Sequence, residues 1–243
     1  MQEHLKDIVR HTYSLGIIDT IKISGDQNET TMNSIAEDRS VILKAKFKDP
    51  VPEFIGTFGM PNLGRLNTIL NIPEYKEDAN ITISTRVDHT DATVPDGIVF
   101  TNKVGDFKNE YRFMGAEIIN EKIKSIKFRD VKWNVDIVPE APSIQRLKFQ
   151  ASANSEFDKF TAKTENGALK FYFGDVASHA GNFVFANNVT GNLTKAWGWP
   201  VGAVLSILNL PGSKTFKISD EGAAMITVDS GIAEYSYIIP AKT

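Results

Sequence analysis

Near the N-terminus, Leu5, Ile8, Val9 and Thr12 recur at the i, i+3, i+4, i+7 spacing of one helical face. This predicts an amphipathic helix over 2–14, ended by Gly16. Lys6, Arg10 and Tyr13 fall together on another face of that helix. Alternation then replaces the helical period. Residues 17–24, 29–36, 40–48 and 53–58 read as strands, with turn-like stretches at 25–28 and 37–39. Pro61 stands where it can open a second helix, and Pro73 lies beyond that helix's end. Strand patterns return at 80–85, 97–102 and 110–115, with an acidic loop at 88–96. The stretch 117–131 has no clear turn punctuation. It mixes isoleucines with Lys122, Lys124, Lys127 and Arg129, and reads as a connector lying against the surface before a strand at 132–138.

The order then repeats. PEAP precedes a helix at 143–153, strands follow at 156–164, 168–175 and 181–188, and a helix at 200–210 opens at Pro200. A meander of 214–219, 223–229 and 232–240 ends the pattern, with turns at 220–222 and 230–231. The stretches LGRLNTILNIP (63–73) and VGAVLSILNLP (201–211) align without a gap at an offset of 138. Setting Leu5 over Ile144, an offset of 139, superposes the first and third helices in phase. Two helices in matching order and phase point to an internal duplication. In the repeated helix Leu63/Val201, Leu66/Val204 and Leu70/Leu208 form the apolar stripe. Gly64/Gly202, Thr68/Ser206 and Asn71/Asn209 form a small, polar, uncharged face, suited either to helix packing and capping or to a smooth wet wall.

Composition narrows the chemistry. The 243 residues accommodate one large domain or two ordinary ones. The absence of cysteine excludes disulfides, thiolate catalysis and cysteine-ligated metals, and fits a reducing compartment. The polar start MQEHLKDIVRHTY has no apolar signal-peptide core, and VGAVLSILNLP is too short to span a bilayer. The net charge of −3 allows only a local basic surface for nucleic acid. The four histidines have no metal-site spacing, and no GxxxxGK[ST], GxGxxG or GxSxG motif occurs. Asp88, Asp91 and Asp96 lack the EF-hand pattern and read as a solvated acidic loop. No cofactor or metal is expected, and the pattern argues against an enzyme.

A duplicated helix–strand unit, a charged Ile-rich connector and the ending KTFKISDEGAAMITVDSGIAEYSYIIPAKT (214–243) together resemble the two-domain DNA polymerase sliding clamps. These are proliferating cell nuclear antigen and its T-even bacteriophage counterpart, and the likeness is nearer the phage branch. The resemblance implies an α+β, ring-forming DNA clamp fold. It would have an N-terminal clamp domain at 1–116, an interdomain connector at 117–131 and a C-terminal clamp domain at 132–243. Antiparallel sheets would lie outside and two helices per domain on the inner face. It implies a non-enzymatic processivity factor, a closed homotrimer around double-stranded DNA without base readout, loaded by a separate clamp loader ATPase. It would tether a DNA polymerase and other DNA-acting partners. No membrane contact is implied, and the location would be the cytoplasm, that of the host cell if phage-encoded. The expected DNA-facing residues are Lys6, Arg10, Arg65, Arg146, Lys148 and Lys195, although the helix 200–210 itself carries no charge. Partner peptides would dock at Ile118, Ile119, Ile126, Phe128, Ile238, Ile239 and Pro240. The expected edge strands are 110–115 and 168–175. Two other readings fit the residues: a phage shell or tail component of duplicated β-rich domains, and an enzyme with a pocket near Asp88, His89 and Asp91.

Overall fold

The computed structural model describes residues 1–87, 91–124, 130–174 and 179–242. Two units emerge. One comprises Met1–Glu37, Leu43–Lys127 and Ser230–Tyr235; the other comprises Asp38–Ile42, Phe128–Asp229 and Ser236–Thr243.

In the first unit, helix α1 (Gln2–His11) leads through a 3-10 turn at Tyr13–Leu15 to Gly16, whose left-handed backbone (φ 74°) ends the segment. Strands β1 (Thr20–Gly25), β2 (Thr30–Ile35), β3 (Ile42–Phe47) and β4 (Gly56–Pro61) form an antiparallel arrangement in the order β4-β1-β2-β3. Their alternate positions, Ile21, Ile23, Met32 and Leu43 among them, are fully buried, as a one-sided sheet requires. Pro61 does not open the next helix. It is the last residue of β4, and Asn62 caps α2 (Leu63–Leu70) from a left-handed backbone (φ 53°). The Asn62 side chain accepts the Arg65 backbone N–H, a bond that proline could not supply. Strands β5 (Asn80–Val87), β6 (Thr93–Thr101) and β7 (Lys108–Arg112) form a three-stranded antiparallel sheet with β6 central. The expected acidic loop is therefore shorter at its C-terminal side. Asp96 belongs to β6 and pairs with Arg86 and Arg112. Asp88 and His89 lie outside the described residues.

The presumed connector begins as a helix, α3 (Ala116–Lys122). Ile119 and Ile123 are buried on it, and Lys122 donates to the Thr20 hydroxyl. Gly59 makes this possible. A Cβ there would come within 2.7 Å of the Ile119 side chain and 2.9 Å of Met114. The core continues through stacked and edge-on rings of Phe47, Phe54, Phe58 and Phe113.

The second unit repeats the plan. After β8 (Val135–Ile137) come α4 (Ala141–Ala153), β9 (Lys159–Glu165), β10 (Ala168–Phe173), β11 (Gly181–Ala186), β12 (Gly198–Pro200) and α5 (Val201–Leu208). Its sheet order, β12-β9-β10-β11, matches β4-β1-β2-β3 strand for strand. The chain closes with β13 (Ser213–Ser219), β14 (Ala223–Asp229) and β15 (Ala233–Pro240), the counterparts of β5, β6 and β7. One hydrogen bond marks the repeat at atomic level. The first helical N–H of α2, on Leu63, is given to the Asp19 carbonyl at 3.1 Å, and that of α5, on Val201, to the Asp158 carbonyl at 3.0 Å. The second core is aromatic, with Phe160, Phe171, Phe183, Phe185 and Phe216 in ring contact.

Edges differ from the sequence expectation at one point. β7 is outermost in its sheet, but β10, within 168–175, is paired on both sides by β9 and β11. The outermost strand there is β11, because β10 carries buried Leu169, Phe171 and Phe173 and belongs in the middle of the core. Within the first unit, the Lys48 N–H just beyond β3 bonds the Ile232 carbonyl at 2.9 Å.

Candidate nucleic-acid interface

On α1, Leu5, Ile8 and Val9 are buried while Lys6 and Arg10 are exposed, as the period of 3.6 dictates. Lys6 reaches Glu3 one turn earlier at 3.1 Å, an exposed pair of little strength. Arg10 has no acidic partner among the described residues. Helix α2 buries Leu63, Leu66, Ile69 and Leu70 and exposes Arg65. α1 and α2 pack side by side. Between them runs a groove of about 210 Å³ with Val9 and Leu70 at its base and Lys6, Arg10, Ser14, Asn67 and Asn71 around it. The Asn71 amide donates to the Asn67 carbonyl at 2.8 Å and to its side-chain oxygen at 3.1 Å, which fixes both amides at the rim. Asn71 belongs to the small polar face read from the sequence, whereas Asn67 and Ser14 are new to the site. The signal for Asn67 was available in the i, i+4 spacing of the two asparagines on the polar side of α2.

The small polar face resolves differently in the two copies. The Tyr13 ring covers Gly64, so that a Cβ would meet it at 3.1 Å, whereas Gly202 faces open space. Thr68 donates back to the Gly64 carbonyl, a helix-internal use of its hydroxyl.

In the second unit α4 buries Leu147 and exposes Arg146, Lys148 and Phe149, the last 63% exposed. The Arg146 guanidinium is turned onto β11: it donates to the Val184 carbonyl at 3.1 Å and lies over the Phe183 ring. α5 packs against α4 and buries Val201, Val204, Ile207 and Leu208. Lys195 is carried by neither helix. Its backbone N–H, together with the Thr194 backbone N–H and hydroxyl, donates to the Asp220 carboxylate, while its ammonium lies over Trp197. Burial pushes the Asp220 acid up, but those hydrogen bonds and the Lys195 charge hold it below the usual carboxylate range.

The expected peptide-docking residues divide sharply. Ile118 is 59% exposed on α3 and Pro240 is exposed at the end of β15. Ile119 on α3, and Ile238 and Ile239 on opposite faces of β15, are all buried and so offer no surface. Ile126 and Phe128 lie outside the described residues.

No protein-family model and no curated protein sequence matches the chain. Solved structures do. PCNA of A. fulgidus bound to the C-terminal region of FEN-1 superposes with a TM-score of 0.70 at 12% identity, covering 100% of this chain and 96% of that one. PCNA of Thermococcus kodakaraensis superposes with a TM-score of 0.66 at 14% identity, covering 100% and 97%. The duplicated arrangement of antiparallel sheets and helices is therefore the fold of the PCNA sliding clamps.

Proposed function

We propose, from the sliding-clamp fold as premise, that this chain is a non-enzymatic processivity factor that encircles duplex DNA. One observation carries the reading: the clamp fold extends over the entire chain, both copies included, at matched length. Fold alone does not dictate function. The cationic groove of α1 and α2, on an otherwise acidic protein, supplies the local chemistry that a sliding contact with phosphates needs. Retention by topology asks for little more, since a duplex cannot leave a closed ring.

The duplication supports the ring itself. β11 is the second copy of β3, and β7 is the first copy of β15. β7 and β11 are both outermost in their sheets. Pairing β7 of one chain with β11 of the next would remove both bare edges. Such a contact is head-to-tail, and head-to-tail contacts close into rings when the rotation permits. Three two-domain chains give the six-domain ring of the proposal. A separate ATP-driven loader would place it on DNA, and a polymerase and other DNA-acting proteins would dock on it. The C-terminal region of FEN-1 bound to A. fulgidus PCNA favours docking by a segment of a partner chain, with Ile118 as an accessible apolar anchor in the first unit. Light scattering combined with negative-stain imaging tests the proposal. It expects a particle of three chain masses with a central hole; a monomer at micromolar concentration, or a particle without a hole, overturns it.

A further inference from the structure

We infer that the contact with the DNA backbone is made by the first unit alone: the α1–α2 groove is a phosphodiester subsite, and its duplicate between α4 and α5 is not. This rests on the DNA-encircling reading and goes beyond it, because a duplicated fold would otherwise suggest equal contacts from both units.

The argument is a comparison of the two copies position by position. At the offset of 139, Lys6 corresponds to Gln145 and Arg10 to Phe149. Ser14 corresponds to Ala153, and at the offset of 138 Asn67 corresponds to Leu205. Both cations, a hydroxyl and an amide of the first groove are thus replaced by a neutral amide and three apolar side chains. The paired Leu63–Asp19 and Val201–Asp158 bonds show that these offsets hold in space as well as in sequence. Phe149 stands 63% exposed where Arg10 is exposed in the first unit, so the exchange alters the surface and not a hidden core position.

Two cations of the second unit do not restore the lost charge equally. Arg146 corresponds to Asp7, off the groove, and its guanidinium is engaged by Val184 and Phe183. Lys148 corresponds to Val9 and is the one unengaged cation among the described residues of α4 and α5. In the first groove, Lys6 and Arg10 sit one turn apart over an apolar base, with the Asn67 and Asn71 amides held beside them. A groove of about 210 Å³ has room for a phosphodiester group, and its cations and amides suit backbone contact without sequence readout. The exposed Glu3 competes only weakly for Lys6.

The test uses the full-length chain, a short labelled duplex and, separately, inorganic phosphate at equal ionic strength. Amide-resolved NMR locates the contact, and anisotropy against salt measures its strength. The duplex should perturb α1 and α2. Lys6→Gln combined with Arg10→Gln should weaken binding about tenfold and reduce the log–log salt slope by about 2. Lys148→Gln should change affinity by less than about twofold. Equal perturbation of α4 and α5, with Lys148→Gln as costly as Arg10→Gln, would overturn the inference and leave DNA binding intact. Rings that form while neither groove responds to duplex would overturn it and leave the ring intact. Saturation by inorganic phosphate alone, with nothing added by duplex, would make the groove a free-anion site and overturn it. Loss of both ring and duplex binding would instead bring down the clamp reading itself.

Discussion

Asp7 ties the N-terminal helix to Ser230 and Tyr235. Its carboxylate accepts the Ser230 and Tyr235 hydroxyls, each at 2.8 Å, and lies 3.2 Å from His11 Nδ1, whose ring stacks on Tyr235. Burial raises its pKa, yet hydrogen bonds from His11, Tyr235 and Ser230 outweigh that and hold it below the ordinary value of 3.8. A folded-state pKa below the unfolded one means stability that is complete above the unfolded value and lost as pH falls through the folded one. Asp7→Asn is expected to cost about 1–3 kcal/mol at pH 7, and the gap from wild type should narrow below about pH 4. Urea unfolding as a function of pH measures both. Gly59→Ala should cost about 1–3 kcal/mol by overpacking against Ile119 and Met114. Because the clash is with Ile119, Gly59→Ala and Ile119→Ala together should cost less than their sum, which a thermodynamic cycle would reveal.

Among the elements, the two copies of the repeated helix differ in how they begin. Asn62 both adopts the left-handed backbone and caps α2, whereas Pro200 precedes α5 without a side-chain cap. Asn62→Ala should therefore destabilise by about 1–2 kcal/mol, and Asn62→Gly by much less. Thermal unfolding of the two variants separates cap from conformation. On α4, Arg146 braces β11 through the Val184 carbonyl and the Phe183 face. Arg146→Ala should lower the stability of the proposed trimer against dilution while leaving duplex affinity within about twofold. Sedimentation and anisotropy read those two quantities independently.

For the molecule as a whole, the consequence of a closed ring is topological. Chains loaded on a circular duplex should stay bound through dilution and leave when the circle is cut, with a half-life that salt alters far less than it alters equilibrium binding to a short duplex. Loss from intact and cut circles at equal rates would mean that the bound state does not encircle DNA. None of the described helices is long and apolar enough to cross a membrane.

Local periodicity by itself determined most of the elements. The stripe of Leu5, Ile8 and Val9, the alternation in the strands and the repeated LGRLNTILNIP pattern depend only on neighbours within a few residues, so they survive without any knowledge of the fold. The duplication was legible for the same reason, and with it the resemblance to clamps. Tertiary structure alone decided which of these side chains remain available. Ile118 and Ile119 are adjacent and chemically identical, yet packing of α3 beside Gly59 buries one and exposes the other. Arg10 and Arg146 are both basic residues off an apolar stripe, but only Arg146 has a strand edge within reach. Pairing with both β9 and β11 made β10 an inner strand. Asn67 and Asn71 became part of a groove only when α1 was laid beside α2. Burial, edge position and groove lining are properties of what a residue meets across long stretches of chain, and sequence pattern does not carry them.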